Sequence, residues 1–92
     1  MGNLKHINGR ACFFCKRTDV LHTHHIFGAA YKKKSERYGF LVYLCPLHHT
    51  GDDGVHFDIE KDLYLRRGCQ RRFERIYGTR EEFMKIFGKN YL

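Results

Sequence analysis

The sequence has a single proline, Pro46, and no apolar run that approaches the roughly 18 residues needed to cross a membrane. It contains no internal repeat and no low-complexity segment that would divide it. The N-terminal stretch MGNLKHINGR lacks the apolar run of a signal peptide. These absences argue against a membrane-spanning or secreted protein, and we expect a cytoplasmic protein with no membrane association.

With 92 residues, the chain is long enough for one domain and too short for two. A domain of this size buries only about 60 to 65% of the surface that its unfolded form exposes, so its apolar core alone gives little stability. A bound metal would add folding energy. The four cysteines and seven histidines are therefore the first residues to consider.

Acidic residues are scarce relative to basic ones. The chain has 17 Lys and Arg against 10 Asp and Glu, which gives a formal net charge of +7. The C-terminal third, from Lys61 onward, carries nine of the basic and four of the acidic residues. This balance is typical of nucleic-acid binding, although basic domains also bind anionic lipids or acidic proteins.

Hydrophobic patterning predicts an α+β domain. Residues 20–26 and 40–44 have the pattern of two strands that pair, and residues 29–38 favour a short helix that ends at Gly39. Residues 59–77 form the longest predicted helix, and Thr79 with Glu82 has the capping-box spacing of a last helix that ends near Gly88. The long helix carries a broad apolar arc that we expect to be core, made of Ile59, Leu63, Leu65, Cys69, Phe73, Ile76 and Tyr77.

Two short motifs have the spacing of metal ligands. Cys12 and Cys15 form a C-x2-C pair, and Cys45 with His48 forms a C-x2-H pair. Thiolate and imidazole in two such pairs suit tetrahedral structural zinc, although a register shift of one residue would exchange His48 for His49. Free buried thiols, a redox pair or, in a secreted chain, disulfides are the alternatives. Cys69 lies on the apolar arc and is expected to be a core residue.

Histidines form a second group. The segment LHTHHIF carries His22, His24 and His25, and on a strand adjacent side chains point to opposite sides. One imidazole of a neighbouring pair can therefore bind a metal while the other accepts a proton from water. His49 and His56 lie across a glycine-containing turn and could complete that metal site. His6 and His22 are expected to be surface or hydrogen-bonded residues.

This constellation resembles the HNH endonucleases, in particular the small members encoded by phages and prophages, which would place the protein in a bacterial host cell. The resemblance rests on CFFC at 12–15, HHI at 24–26 and LVYLCPLHH at 41–49, and it spans roughly residues 12 to 60. It implies a zinc-stabilised ββα-metal (His-Me finger) core over about 12–77 with a C-terminal helix at about 79–88. Both parts would belong to one domain spanning 1–92.

The resemblance also implies an activity, the metal-dependent hydrolysis of phosphodiester bonds in double-stranded DNA. His24 and His49 would bind one divalent metal such as Mg²⁺, Mn²⁺, Ni²⁺ or Zn²⁺, with His56 as the third ligand, and His25 would be the general base. Phosphates would be held by Lys32, Lys33, Lys34, Arg67, Arg71 and Arg75. Whether two copies pair as a homodimer stays open at this point.

One position departs from the family. Its members usually carry an asparagine shortly before the second pair of zinc ligands, whereas this sequence has Gly39 and Phe40 there and no Asn between His25 and His49. The alternative function is a non-catalytic zinc-binding module that binds nucleic acid or a protein partner. A third reading, a phage-encoded inhibitor that binds a host protein through its basic face, is also open. The adjacent pair His24 and His25 favours catalysis, because a binding module needs no free imidazole beside a metal ligand.

Overall fold

The computed structural model describes residues 5–92. Within that range the chain forms two strands and four α-helices, with a 3-10 turn at Ala29–Tyr31. In chain order they are β1 (His22–His25), α1 (Lys32–Tyr38), β2 (Leu41–Leu44), α2 (Pro46–His49), α3 (Ile59–Ile76) and α4 (Arg80–Phe87). The domain is therefore α+β, as the hydrophobic patterning predicts, and both strands are shorter than predicted.

The two strands pair antiparallel, with His22 opposite Leu44 and His25 opposite Leu41. They are joined through α1, which ends at Gly39 in a left-handed conformation (φ 72°) that favours glycine. The Ser35 hydroxyl fixes α1 to the chain that leaves β1, because it donates to the carbonyl of Phe27 (2.7 Å) and accepts from its N–H (3.0 Å). This connection brings α1 alongside β1.

An aromatic cluster forms most of the core. Phe27, Phe40, Phe83 and Phe87 are all buried, and the rings of Phe27 and Phe87 lie 4.5 Å apart. The predicted capping box is confirmed, since the Thr79 hydroxyl accepts from the N–H of Glu82 and the Glu82 side chain accepts from the N–H of Thr79. It starts α4, whose Phe83 and Phe87 then pack on the core.

The predicted buried face of α3 is only partly correct. Leu65, Cys69 and Phe73 are buried, but three residues of the predicted arc are exposed: Ile59 (64%), Ile76 (53%) and Tyr77 (49%). The buried face includes Gln70 instead, because the C-terminal segment returns against that side of the helix. The Gln70 side chain accepts from the N–H of Tyr91 (2.7 Å) and donates to Asn90 (2.7 Å). No helix in the described part of the chain is long and apolar enough to span a membrane.

Candidate metal centres

The first cluster contains three cysteines and one histidine. Cys12 and Cys15 come from the loop before β1, while Cys45 and His48 come from the start of α2, and their ligand atoms all lie within 4.8 Å of one another. His48, and not His49, is the histidine that the fold places beside the three cysteines. Cys69 is fully buried elsewhere, and burial raises the pKa of its thiol, as expected for an inert core cysteine.

The distances in this cluster fit the edges of a tetrahedron. Zinc bonds of about 2.3 Å to sulfur and about 2.0 Å to nitrogen imply edges of about 3.8 Å between two sulfurs and about 3.5 Å between sulfur and nitrogen. The Sγ atoms of Cys15 and Cys45 are 3.6 Å apart, and Nδ1 of His48 lies 3.3 Å from Cys45 and 3.7 Å from Cys12. A disulfide would require about 2.05 Å between sulfurs. These residues can hold a metal such as zinc.

The loop also favours the thiolate form that a metal requires. Burial raises the pKa of the Cys12 thiol, but hydrogen bonds from the backbone N–H groups of Cys45, Cys15 and Phe14 more than offset it and lower this pKa to about 6. The pKa of Cys15 is raised: the N–H of Arg17 lowers it, and burial and the neighbouring sulfurs outweigh that effect. A second negative charge beside Cys12 is therefore unfavourable until a cation neutralises the cluster.

The carboxylate of Asp53 lies beside the His48 ring, on the edge away from the sulfurs. While Nδ1 of His48 faces the sulfurs, its Nε2 lies 3.4 Å from the carboxylate of Asp53. Lys61 bonds both Asp53 and Asp58 at 2.9 Å, and Asp58 is the N-cap of α3. A carboxylate on the second nitrogen of a metal-bound histidine fixes the ring and its tautomer. This network connects the Cys3His cluster to the first turn of α3.

The second cluster contains only histidines. His24 on β1, His49 at the end of α2 and His56 in the following loop place their ligand atoms within 4.8 Å of one another. The three ring centroids are 5.1 to 5.5 Å apart. The family resemblance implies that these three residues bind one metal, and the fold brings them together. Three protein ligands leave coordination positions for water or substrate, as in catalytic metal sites.

His24 has an environment that suits a neutral metal ligand. Its Nε2 is buried and has no hydrogen-bond partner among residues 5–92. Burial, followed by the positive potential of His49 and His56, lowers the pKa of His24 to about 3. Burial also lowers the pKa of His49, as do His56 and His22. Because protonation is disfavoured, the imidazole lone pairs stay available to a cation.

Two glycines allow the loop after α2 to bring His56 back to His49. A Cβ at Gly54 would lie 2.7 Å from the carbonyl oxygen of His49, and one at Gly51 would lie 2.8 Å from the backbone of Leu47. Distances below 3.0 Å exclude a side chain without a backbone shift. Backbone packing, and not only turn propensity, therefore requires glycine in the segment TGDDG.

His25 points to the other side of the strand. Its Nε2 lies 2.7 Å from a carboxylate oxygen of Glu36 on α1, and its side chain is 16% exposed. A carboxylate only accepts, so Nε2 donates and Nδ1 is the nitrogen left to take a proton. The sequence spacing does not predict the contact between Glu36 and His25. The contact forms because Ser35 holds α1 against the chain that follows β1.

His22 is hydrogen-bonded, as expected, and its partner belongs to the histidine cluster. Its Nδ1 lies 3.0 Å from Nδ1 of His49, a contact that the sequence prediction did not specify. A signal existed, since His22 and His24 are two residues apart on β1 and therefore share a face of the strand. His6 is hydrogen-bonded, as expected, with Nε2 2.9 Å from the Thr23 hydroxyl.

The predicted phosphate-binding residues lie on α1 and α3 and differ in their local contacts. Arg71 and Arg75 line a groove on α3, whereas Arg67 donates to the carbonyl of Tyr91 (3.1 Å). Lys34 donates to the carbonyl of Ile86, and Lys32 and Lys33 are exposed on α1. Sequence analysis missed Arg66, which lines a cavity of about 330 Å³ together with His56. This arginine forms an ion pair with Asp62 (3.0 Å) and also contributes to the lowered pKa of His24.

Comparison with known proteins adds no further assignment, since no protein-family model, no curated protein and no solved structure matches the chain. The fold and the two clusters define the class: a small α+β domain with a two-stranded antiparallel sheet and two groups of residues that could hold metal ions.

Proposed function

We propose that the protein is a metal-dependent endonuclease of the HNH type that hydrolyses DNA, with a ββα-metal core formed by β1, β2 and the helices that follow. One observation carries the proposal: consecutive residues of β1 supply a ligand of an open three-histidine cluster, His24, and a histidine held by a carboxylate, His25. A site that hydrolyses phosphodiesters needs both groups, one to hold a cation and one to accept a proton from water.

The residues of the chain divide the chemistry between them. His24, His49 and His56 would hold one divalent cation, which supplies Lewis-acid stabilisation of the phosphate when bound. His25 accepts the proton of the attacking water at Nδ1, and Glu36 holds the ring in that tautomer and stabilises the imidazolium that results. Arg66, held by its ion pair with Asp62, lies beside His56 and would contact a phosphate bound there. The Cys3His cluster fixes the start of α2, and so the position of His49.

The carboxylate of Glu36 can replace the asparagine that the family usually carries. No Asn occurs between His25 and His49, so another residue must orient the base. Glu36 lies in that interval and contacts the ring directly. We infer that it takes the positioning role in this chain.

The test is cleavage of supercoiled plasmid with Mg²⁺, Mn²⁺, Ni²⁺ or Zn²⁺ added in turn. His25→Ala is expected to lose about 10²-fold to 10⁴-fold in rate, as general-base catalysis implies, and to keep its metal content. His24→Ala should lose metal affinity as well. Glu36→Gln should cleave more slowly with unchanged metal binding, and the matched change Glu60→Gln, on the exposed first turn of α3, should leave cleavage unchanged. Equal cleavage by His25→Ala and wild type would refute the assignment.

The alternative is a zinc-binding module that binds nucleic acid or a protein partner without cleavage. The departure from the family asparagine favours it, and so does the Cys3His cluster, which has a structural role in either case. Absence of cleavage under every ion, with tight zinc binding retained, would favour this alternative over the nuclease.

A further inference from the structure

A groove lies along α3 on the side away from the histidine cluster. It has a volume of about 230 Å³ and an apolar floor that includes Phe13 and Leu65, with Tyr64 at one side. Three arginines line it: Arg71, Arg72 and Arg75. Among residues 5–92, none of these guanidinium groups lies within 4.0 Å of a carboxylate. The groove therefore combines exposed aromatic surface with positive charge that no acidic side chain neutralises.

Gly68 keeps this groove open at its centre. Glycine in a helix interior is destabilising relative to alanine, so its presence in α3 needs a reason. Close packing is not the reason, because a Cβ built at Gly68 meets nothing within 4 Å. The missing side chain instead leaves open space between the aromatic floor and the arginines.

Size and chemistry narrow the class of ligand. Pockets that enclose a whole small molecule are typically about 300 to 1,000 Å³, so this groove suits one flat group of a longer polymer. Guanidinium groups bind phosphates, and an exposed tyrosine offers a face for stacking. Tyr64 is 63% exposed, and its ring lies 6.1 Å from that of Phe13. Stacking surfaces next to cationic side chains are how proteins hold single-stranded nucleic acid.

We propose that this groove binds single-stranded nucleic acid, with an unpaired base on Tyr64 and Phe13 and the flanking phosphates on Arg71, Arg72 and Arg75. The site is separate from the proposed cleavage centre: Asp62 and Arg66, which line the cavity beside His56, lie on the opposite side of α3. Binding here does not require cleavage, and so it goes beyond the proposed function.

The experiment measures binding of a fluorescently labelled oligothymidine by anisotropy at low salt, with the full chain in the His25→Ala background to protect the probe. Loss of the stacking face in Tyr64→Ala should weaken binding about 5- to 150-fold, and Tyr64→Phe should restore it. Arg72→Ala/Arg75→Ala should weaken binding and reduce its salt dependence. The matched control Lys85→Ala removes a surface charge outside the groove and should change little.

A glycine substitution separates binding from folding. Gly68→Leu should fill the groove and abolish binding, while its Tm equals or exceeds that of wild type because leucine is a better helix former. Photocrosslinking from a 5-iododeoxyuridine oligonucleotide should map to Tyr64 or Phe13. The proposal is overturned if Gly68→Leu binds like wild type, if the variants weaken a duplex as much as the single strand, or if polyglutamate competes as well as the oligonucleotide. Plasmid cleavage by the wild-type protein is scored separately, so either proposal can fail alone.

Discussion

Replacing Cys45 or Cys69 by alanine provides a matched test of the Cys3His cluster. Both side chains are buried, with exposures of 1% and 0%, so each change removes one sulfur atom from the interior. Only Cys45 belongs to the cluster. The difference between the two variants therefore isolates metal binding from packing.

The two costs differ in size. Loss of a buried sulfur costs about 1 kcal/mol in packing at either position. Structural zinc contributes about 10 to 16 kcal/mol in zinc-finger peptides, so loss of one ligand in four costs at least about 2.5 to 4 kcal/mol more. For a domain of this size 1 kcal/mol corresponds to about 4 to 8 °C in Tm. Cys69→Ala should therefore melt about 4 to 8 °C below wild type, and Cys45→Ala more than about 15 °C below it or not fold.

The assay combines thermal unfolding by circular dichroism with elemental analysis of the purified proteins. Wild type and Cys69→Ala should carry zinc and lose stability when a chelator is added, whereas Cys45→Ala should be deficient in zinc and insensitive to the chelator. Equal Tm values for the two variants, with equal metal content, would show that the cluster holds no structural metal.

Three further predictions concern residues around the clusters. Asp53→Asn should release zinc to a chelator about 10 to 100 times more readily than wild type, because His48 loses its orienting carboxylate; unchanged release would make Asp53 a surface residue only. Gly54→Ala should lower the free energy of unfolding by about 1 to 3 kcal/mol and weaken metal binding by the histidine cluster, since the new Cβ meets the His49 carbonyl; urea unfolding and metal titration measure both. The backbone and hydroxyl of Thr79 lower the pKa of Glu82, so its contribution to stability is present above the unfolded-state pKa and is lost as the pH falls through the lowered one. The Tm difference between wild type and Glu82→Gln should accordingly shrink from pH 6 to pH 3.5, and a constant difference would contradict the role of the carboxylate.

The parts of the fold that sequence could predict are those set by local chemistry. Gly39 ends α1, Thr79 and Glu82 start α4, and the two paired motifs of Cys12, Cys15, Cys45 and His48 form the Cys3His cluster. In each case residues close in sequence, or two motifs with the spacing typical of metal ligands, indicate the result. The type of each element was therefore predictable, whereas both strands are shorter than their predicted ranges.

The parts that sequence could not predict depend on long-range docking. Glu36 contacts His25 because the hydrogen bonds of Ser35 hold α1 beside β1. Asp53 lies near His48, and its ion pair with Lys61 holds the loop against α3. The wrong part of the α3 face has the same origin. Helical periodicity predicts that Ile76 is buried, but Ile76 is exposed and Gln70 is buried. Gln70 is covered by the C-terminal segment, which contacts it from 20 residues away. The periodicity of one helix cannot predict such a long-range contact.

One consequence of α2 is an energetic coupling between the two clusters. His48 and His49 are neighbours in a helix of four residues, yet one faces the sulfurs and the other faces His24 and His56. An ion in either cluster fixes the same short helix, so it removes part of the conformational entropy that the second ion would otherwise have to overcome. Linkage then requires the effect to be reciprocal. A metal titration should show cooperative filling. A chain whose Cys3His cluster has been emptied by a chelator should bind an ion at the histidine cluster more weakly, even though all three imidazoles are intact.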